Sequence, residues 1–436
     1  MIESIIGFIA LFALVLVRVP IAISMIVVGT VGFALLRSWK ASFLLLGNTS
    51  FDTVWSFTLA VIPLFVLMGN LLTVSGVSGS LFATAHRAMY RLKGGLAMAT
   101  IVACGGFSAV CGSSLATAAT MSKVALPSMR KVGYDDGLAS GSIAAGGTLG
   151  ILIPPSVILI IYGLITEADI GKLFIAGILP GLIGVVFYLI AVRIVVRFRP
   201  DFAPTEVEQY PMSRIDFWGV ISVLALFAII MIGIYGGFFT ASEAAAIGAF
   251  ISLLIAISMG GMTFGKLFHA GEETIKTTAM IFALVIGAEI FSNFVSFAGL
   301  PDAILGWVTA MDVGPWTVMF CIILMYLVLG AVLESLSMIL LTVPIFFPLV
   351  TSLDFGTGLL SDPEMVVIWF GIVVVVVTEI SLISPPIGLN VFVLKSVVAD
   401  ISIGTIFRGV LPFWLADLGR LAVLLAVPAL SLMLIP

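Results

Sequence analysis

Two groups of oxygen-bearing residues in apolar surroundings could together bind a cation. In the first half of the chain they are Ser113, Ser114, Thr117, Gly147, Thr148, Gly150, Pro154 and Pro155. In the second half they are Glu334, Ser335, Ser337, Thr378, Ser384, Pro385, Pro386 and Asn390. Hydroxyl and carbonyl oxygens without nitrogen or sulfur ligands suit a hard cation. Sodium is the physiological expectation, and the residues alone also permit a proton. A single Ser or Thr in a helix more often bonds a helix carbonyl, so the prediction depends on clustering.

Each group contains a Pro-Pro pair that must interrupt a helix. The pairs lie in GILIPPS (150–156) and SLISPPIG (381–388). Proline lacks an amide donor and frees a carbonyl of the preceding turn. In hydrocarbon such a carbonyl is tolerated only inside protein or beside a polar cavity. It can then ligate a dehydrated cation, while half-helix ends supply partial charges. One pair would be compatible with a simple kink, but two pairs in matching positions favour a binding site.

The composition indicates a polytopic membrane protein. Hydrophobic residues make up 61% of the 436 residues and charged residues 10%, with a mean hydropathy of +1.29. Soluble domains contain about 25% charged residues, so this chain cannot coat a large water-facing surface. The N-terminal run 2–36 lacks a basic start and a cleavage site, which predicts retained helix rather than signal peptide. Predicted spans are roughly 2–17, 20–36, 53–74, 138–165, 170–195, 217–238, 240–260, 274–298, 365–395 and 408–434.

Two further apolar segments, 94–122 and 314–352, predict re-entrant hairpins. Basic residues flank the first on both sides, and such residues concentrate in cytoplasmic loops. These are Arg87, Arg91, Lys93, Lys123, Arg130 and Lys131. The first hairpin would enter from the cytoplasm and turn near Gly112–Ser114; two short packed helices with a flexible turn are the alternative. The second is flanked by Asp302, Asp312 and Asp354 and has its polar middle at 330–337, so it should enter from outside.

The two halves of the chain repeat one pattern. Each has a span, an amphipathic arm, a hairpin and a span broken at Pro-Pro, with the arms at Ser78–Lys93 and Pro301–Val313. The arms should lie at the membrane interface. Because the halves begin on opposite sides, this is an inverted repeat, which in secondary transporters places the site near the midplane. Two basic residues do not follow the rule that Lys and Arg concentrate in cytoplasmic loops. When the predicted spans are counted along the chain, Arg37 and Lys40 fall on the outer side of the membrane. The predicted fold class is an all-α polytopic membrane protein with two re-entrant hairpins and two discontinuous helices.

Acidic residues inside membrane segments are functional candidates by default. Glu334 and Glu379 lie in the second hairpin tip and in the broken span that follows. Glu243 follows Thr240 at a helix start, which predicts a capping role. Glu289 has no evident partner in the sequence.

The remaining polar and small side chains have structural interpretations and give no transition-metal site. Asp417 and Arg420, three residues apart, should neutralise each other on one helix face. The three cysteines lie in apolar segments, typical of buried and inert thiols, and the two histidines have no ligands at metal-binding spacing. The glycines between 177 and 184 predict close helix packing.

Five stretches resemble the large membrane subunit of tripartite ATP-independent periplasmic (TRAP) transporters. They are GSSLATAATMSKVALPSMRKVGY (112–134), AAGGTLGILIPPS (144–156), TASEAAAIGA (240–249), SMILLTVPIFFPLV (337–350) and WFGIVVVVVTEISLISPPIGLNVFV (369–393). The resemblance implies a sodium-coupled elevator-type transporter in the bacterial cytoplasmic (inner) membrane. It also implies two partners, a small four-helix membrane subunit and a periplasmic substrate-binding protein. The implied substrates are organic acids such as C4-dicarboxylates or sialic acids.

Carried onto this chain, the resemblance places sodium sites around Ser113, Ser114 and Gly147–Pro154, and around the second hairpin tip with Ser384–Pro386. Many family members have aspartate where this chain has Glu334, which makes the role of this acid open. The expected organisation is N-terminal scaffold helices (1–75), first arm, hairpin and broken helix (76–165), scaffold and connecting helices (166–298), second arm, hairpin and broken helix (299–396) and a C-terminal helix (397–436). The two hairpin regions would form the transport domain.

The repeat alone leaves one close alternative, a self-sufficient sodium- or proton-coupled carboxylate carrier of the same architecture that needs no binding protein. A channel fits less well, because hairpins in both halves suit alternating access. An intramembrane enzyme would need paired catalytic residues, and the sequence offers no such pair with a base in reach.

Overall fold

The computed structural model describes residues 1–204, 213–259, 262–311, 313–356 and 358–435, and the described residues form helices and connections without a β-strand. The helices of the first half are α1 (Ile2–Leu16), α2 (Ile21–Leu36), α3 (Trp39–Trp55), α4 (Val61–Ser75), α5 (Val77–Met89), α6 (Gly95–Cys111), α7 (Ser114–Lys131), α8 (Asp136–Thr148), α9 (Val157–Thr166) and α10 (Ile170–Phe198). Those that follow are α11 (Arg214–Tyr235), α12 (Ala241–Ser258), α13 (Phe264–Phe297), α14 (Leu300–Ala310), α15 (Pro315–Gly330), α16 (Ser335–Thr351), α17 (Pro363–Ile383), α18 (Leu389–Val397), α19 (Ile403–Ala426) and α20 (Ala429–Leu432).

The described helices confirm a polytopic membrane protein. Seven of them, counting a short 3₁₀ turn at the start of α4, are long and apolar enough to cross a membrane. The order of elements is the same in the two halves: a long helix (α4 or α13), a short helix (α5 or α14), a helix pair (α6–α7 or α15–α16), an interrupted helix (α8–α9 or α17–α18) and another long helix (α10 or α19).

Both predicted hairpins are pairs of packed helices with the turn where the polar residues lie. Gly112 between α6 and α7 has a φ of 62°, a left-handed conformation that glycine adopts without steric cost. Ser113 then caps α7, since its side chain accepts from the Ala116 amide at 3.4 Å. The second turn runs from Gly330 to Ser335. Whether these pairs are re-entrant depends on the position of the bilayer and stays a prediction.

Polar contacts join the two halves at both ends of the bundle. Arg130 at the end of α7 pairs with Asp136 of α8 at 2.8 Å and with Asp400, in the loop before α19, at 2.7 Å. The hydrogen bond from Arg130 lowers the pKa of the Asp400 carboxyl. At the other end, Lys172 of α10 pairs with Glu364 of α17 at 2.6 Å. Beside the Arg130–Asp136 pair, α8 and α19 pack closely enough that an added Cβ on Gly409 would overlap the Gly137 backbone.

The structure corrects several sequence predictions. Helix α3 was missed, because its polar Lys40, Asn48 and Asp52 interrupt the apolar run, and the span predicted at 53–74 begins with the 3₁₀ turn at Thr58. The first arm, predicted to extend to Lys93, ends as a helix at Met89. Its buried Leu81, Phe82 and Ala85 pack the arm against protein, in contact with α6 and α11.

Two further differences concern the surface and the C-terminal end, and one predicted exception remains. Cys321 is exposed, contrary to the expectation of a buried thiol. The C-terminal helix is divided into α19 and α20 because Pro428 cannot continue α19. Arg37 lies 4.5 Å from the centre of the Phe297 ring, at the end of α13 that the count places outside, so it remains an exception to the charge rule. Asp312 and the parts of predicted ranges at 205–212, 260–261, 357 and 436 lie outside the described residues.

Candidate functional site

The tip of the first hairpin packs directly on the first helix interruption. A Cβ added to Gly150 would lie 2.9 Å from the Ser113 carbonyl oxygen and 3.1 Å from the Ser114 amide. One added to Gly147 would lie 2.8 Å from Ala118 Cβ and 3.2 Å from the Ser114 oxygen. Only glycine allows this backbone approach. The structure thus brings together the hydroxyl-bearing tip and the glycines that were predicted to share a site.

The interruption after α8 is bounded by a cap that the sequence prediction missed. The helix continues as a 3₁₀ turn from Leu149 to Ile151, and α9 begins at Val157 after the cis Pro154–Pro155 peptide. The Ser156 hydroxyl donates to the Ile151 carbonyl at 2.5 Å and accepts from the Leu159 amide at 3.3 Å. A serine directly before an apolar run is a helix-start signal, so this residue could have been found.

The second hairpin tip carries Glu334 as the cap of α16. Its carboxylate accepts from the amide of Ser337 at 3.3 Å and from the Ser337 hydroxyl at 3.2 Å. At the same turn, an added Cβ on Gly330 would overlap the Ser381 side chain of α17. The second hairpin therefore packs on the second interrupted helix, as the first hairpin packs on α8. The hydrogen bonds that Glu334 accepts from Ser337 hold the tip of the second hairpin in place.

Most hydroxyls of the second interruption are occupied by their own helix. Thr378 donates to the Val374 carbonyl at 2.8 Å and Ser384 to the Ile380 carbonyl at 2.7 Å. Ser384 also accepts from the Trp414 indole at 2.7 Å. Asn390, after the cis Pro385–Pro386 peptide, donates to the Ala144 carbonyl of α8 at 3.0 Å. These contacts join the two interrupted helices and leave Asn390 Oδ1 buried without a partner.

A cavity of about 320 Å³ lies between the two hairpin tips. Of the described residues predicted for the site, Ser113, Ser114, Glu334 and Ser335 line it. The other predicted residues are not part of its lining: Thr117, Gly147, Thr148, Gly150, Pro154, Pro155, Ser337, Thr378, Ser384, Pro385, Pro386 and Asn390. Thr117, for example, is fully buried beside the Cys111 thiol.

The far wall of this cavity comes from helices that the sequence prediction did not include. Asn70 of α4 and Glu273 and Thr277 of α13 face the tips. None of the described residues lining the cavity is Lys, Arg or His, while two are glutamates. Lys276 lies beside Glu273 at 3.2 Å but outside the lining. A single polar residue in a long apolar helix belongs to no spacing pattern, so no signal in the sequence showed that these residues would line the cavity.

A second cavity, of about 540 Å³, lies toward the other end of α13. Its polar lining includes Asp52 and Thr53 of α3 and Glu289 of α13, and its opposite wall is formed by α9 and α16. The Thr53 hydroxyl donates to Glu289 at 3.4 Å, so the prediction that Glu289 lacks a partner is wrong. Glu273 and Glu289 are 16 residues apart, which is about 24 Å along a helix axis.

Thr148 faces away from the tips, toward a buried group of charged residues. Its hydroxyl lies 2.9 Å from the Tyr188 hydroxyl, which donates to Asp417 at 2.6 Å. Arg420 contacts Asp417 at 3.0 Å, which confirms the predicted pair. The same guanidinium also pairs with Glu379 of α17, a contact across 41 residues that the sequence prediction missed. Among the described residues there is no group of three or more His, Cys, Asp or Glu side chains placed to hold a metal.

The predicted helix cap at Glu243 is confirmed. Thr240 and Glu243 form a reciprocal capping box at the start of α12, in which the Thr240 amide donates to the Glu243 carboxylate at 2.8 Å. The glycines of α10 are confirmed as close-packing positions: an added Cβ on Gly177 would lie 2.7 Å from the Leu152 oxygen, and one on Gly181 2.7 Å from Ile153 Cγ1.

Comparisons with known proteins agree with this arrangement. The family "Tripartite ATP-independent periplasmic transporter, DctM component" matches residues 8–430. The chain is 36% identical over 388 residues to the C4-dicarboxylate TRAP transporter large permease protein DctM of Pseudomonas aeruginosa, covering 88% of this chain and 87% of the relative. It is 30% identical over 442 residues to the sialic acid TRAP transporter large permease protein SiaM of Vibrio cholerae, covering 100% and 98%.

The fold is similar to that of a solved transporter with low sequence identity to this chain. The Alcanivorax borkumensis YdaH transporter superposes with a TM-score of 0.56 at 18% identity, covering 88% of this chain and 89% of that one. The family model matches almost the whole chain, and the relatives are at least 30% identical to this chain over most of the chain's length. The chain therefore belongs to the DctM family of large permease subunits of tripartite ATP-independent periplasmic transporters.

Proposed function

We propose that this chain is the large subunit of a sodium-coupled importer of organic acids in the bacterial cytoplasmic membrane. It would receive a carboxylate substrate from a periplasmic binding protein and work beside a small four-helix membrane subunit. The observation that carries the proposal is the cavity between the two hairpin tips, where Ser113, Ser114, Glu334 and Ser335 meet. Family membership supports a complex with a binding protein and a small membrane subunit. The substrates in the names of the relatives support a carboxylate as the substrate class.

The charge of the cavity supports coupling to a cation. Its described lining contains two glutamates and no basic side chain, and one of the two, Glu273, is paired with Lys276 just outside the lining at 3.2 Å. An ionised carboxylate of the lining and a substrate carboxylate about 5 Å away would repel each other by roughly 3 kcal/mol at an effective dielectric constant of about 20. A carboxylate substrate would meet this repulsion unless a cation bound first. Sodium held by tip hydroxyls and freed carbonyls would offset the repulsion and make substrate binding depend on the ion.

The two cavities along α13 support an elevator motion. Both lie between α13 and the hairpin or broken-helix elements, near opposite ends of the same helix. We infer that α13 belongs to the fixed scaffold and that the hairpins, re-entering from opposite faces, move along it with the substrate. The distance to be covered is of the order of the spacing between Glu273 and Glu289.

The first test is the double variant Ser113→Ala and Ser114→Ala. Loss of two oxygen ligands should raise the sodium concentration for half-maximal uptake by about tenfold, equivalent to roughly 1.4 kcal/mol of ion binding. Uptake of a labelled carboxylate is measured in proteoliposomes containing both membrane subunits and the binding protein, over a range of sodium concentrations.

The matched control is Ser361→Ala with Ser396→Ala, two exposed serines whose hydroxyls bond the carbonyls of Gly358 and Val393. It should leave sodium activation unchanged. Unaltered sodium activation in the tip variant would remove the first hairpin from the cation site. Uptake by the large subunit alone would replace the tripartite proposal with a self-sufficient carrier.

A further inference from the structure

One polar residue of the wall opposite the hairpin tips is held in a single orientation by a neighbouring helix. Asn70 of α4 lines the cavity between the tips and is half-buried. Its Nδ2 donates to the Thr274 hydroxyl of α13 at 3.0 Å. That hydroxyl donates its own hydrogen to the Ala270 carbonyl at 2.7 Å, so it accepts from Asn70 and cannot donate to it. The carboxamide of Asn70 is therefore fixed with its nitrogen toward α13.

This orientation leaves the carboxamide oxygen of Asn70 for a ligand. In the described part of the chain, no group donates a hydrogen bond to Oδ1 of Asn70. The backbone beside it lies close to the first hairpin tip, because a Cβ added to the preceding Gly69 would be 2.8 Å from the Cys111 carbonyl oxygen. An acceptor of fixed direction thus lies beside the tips in the cavity wall.

The residues on either side of Thr274 add another acceptor to the same wall. Glu273 precedes Thr274, and Thr277 follows Glu273 by about one helical turn; both line the cavity. An ionised carboxylate only accepts hydrogen bonds, and Lys276, the partner of Glu273 at 3.2 Å, lies outside the lining. A ligand group that faces Asn70 and Glu273 must therefore supply hydrogens, which a carboxylate cannot do.

We propose that Asn70 is a specificity-determining residue whose Oδ1 accepts a hydrogen bond from a hydroxyl or ammonium group of the substrate. The inference rests on the proposed function, because it takes the cavity between the tips as the place where the carboxylate substrate binds. The substrate carboxylate would lie toward the tips and their cation, and the donor group toward α4 and α13. The substrate class is then a carboxylic acid that also carries a hydroxyl or an amino group.

The energetic reason is the cost of an acceptor left without a partner. A bound substrate would cover Oδ1 of Asn70 and remove it from water. A polar group that is buried without a hydrogen bond destabilises the complex, and a site built to bond a hydroxyl rejects the analogue that lacks it. An acid without a donor at this position should therefore bind more weakly than the matching hydroxy or amino acid.

Thr274 acts through Asn70 and is a positioning residue. It is buried, and its hydroxyl is the group that holds Nδ2 of Asn70. Valine has nearly the same shape as threonine but lacks the hydroxyl, so Thr274→Val leaves Asn70 in place and frees its carboxamide to turn. If the bond between Asn70 and Thr274 served only to pack α4 against α13, this change would affect stability and leave substrate preference as it was.

Binding of matched acids to the full-length chain, co-purified with the small membrane subunit in lipid nanodiscs, tests the proposal. The probes are three sets, each without a donor, with a hydroxyl and with an ammonium group: propionate, lactate and alanine; succinate, malate and aspartate; glutarate, 2-hydroxyglutarate and glutamate. Dissociation constants are measured in sodium without a binding protein, so that only the membrane complex selects. In the set that fits best, one donor-bearing acid should bind about tenfold more tightly than the plain acid.

Variants then assign this preference to Asn70. Asn70→Leu should weaken binding of the preferred acid by about tenfold and change binding of the plain acid little. Thr274→Val should also lower the ratio between the two. The matched controls are Asn48→Leu, an exposed residue that lines neither cavity, and Thr309→Val, an exposed threonine whose hydroxyl bonds the Leu305 carbonyl at 2.8 Å. Both controls should keep the wild-type ratio.

The outcomes separate this inference from the proposed function. Equal binding within every set in the wild type, or a ratio that survives both Asn70→Leu and Thr274→Val, would overturn the role of Asn70 and leave carboxylate transport standing. Sodium-dependent binding of none of these acids would count against the proposed function and against this inference with it. Whether the hydroxyl or the ammonium member binds more tightly identifies the donor that Asn70 accepts from.

Discussion

Replacement of Arg420 by leucine should lower the free energy of unfolding by roughly 3–5 kcal/mol, because removing one partner of a buried ion pair leaves the other uncompensated. Arg420 is fully buried, contacts both Glu379 and Asp417, and fills the space beside Gly184. Proteins are stable by only about 5–15 kcal/mol, so most of the variant should be lost to aggregation. Fluorescence-detected size exclusion after heating measures this loss.

Two companion variants separate lost charge from lost volume. Arg193→Leu removes an exposed arginine from α10 and should leave the melting temperature nearly unchanged, since isolated surface charges contribute little. Arg420→Met combined with Glu379→Leu and Asp417→Leu removes all three charges of this buried group. It should recover much of the stability, since apolar replacement of a whole buried ion group is often neutral or stabilising. A single Arg420→Leu variant as stable as wild type would show that the contacts of Arg420 with Glu379 and Asp417 do not hold α17 and α19 together.

The parts of the fold that sequence could predict are those controlled by local patterns. Apolar runs, proline pairs and glycine-rich turns each act within a few residues, so the hairpin turns at Gly112 and Gly330 and the interruptions before Val157 and Leu389 were predicted at the right places. Helix α3 was missed because the prediction relied on such local patterns. Its polar residues weaken the hydropathy signal, while the start of the helix depends on one side-chain contact, from the Ala41 amide to the Ser38 hydroxyl at 3.2 Å.

The parts that sequence could not predict depend on contacts between distant segments. Tyr188 and Asp417 are 229 residues apart, and no spacing rule connects them. Asn70 and Glu273 enter the cavity because α4 and α13 pack beside the tips. Thr378 and Ser384 were grouped with the cation ligands by proximity in sequence, and their hydrogens are donated to carbonyls one turn back. A hydroxyl ligates a cation through its oxygen lone pairs, so their place among the ligands stays a prediction.

Gly150→Ala should reduce substrate uptake by at least about tenfold while the protein remains folded. The new Cβ would lie 2.9 Å from the Ser113 oxygen and 3.0 Å from its carbonyl carbon. These are backbone atoms and cannot rotate away, as a side chain could. Overpacking of this kind costs roughly 1–3 kcal/mol, and the first hairpin tip is the element that must move. Because that tip lines the cavity, the displacement should appear mainly as lost sodium and substrate binding. Uptake is measured in proteoliposomes, with the melting temperature recorded on the same preparation.

Gly271→Ala is the matched control, since Gly271 is also helical but has no atom within 4 Å of the added methyl group. Alanine is the better helix former by about 1 kcal/mol, so this variant should unfold at the same or a higher temperature and transport normally. If Gly150→Ala also transports normally, the contact between tip and interruption is only packing, and the cation site must lie elsewhere along the hairpin. If it instead melts well below wild type, the contact contributes to folding, and its role in binding has to be measured with the tip serines alone. Loss of uptake with only a small decrease in melting temperature is the result expected when a glycine is needed so that two backbones can share one ion.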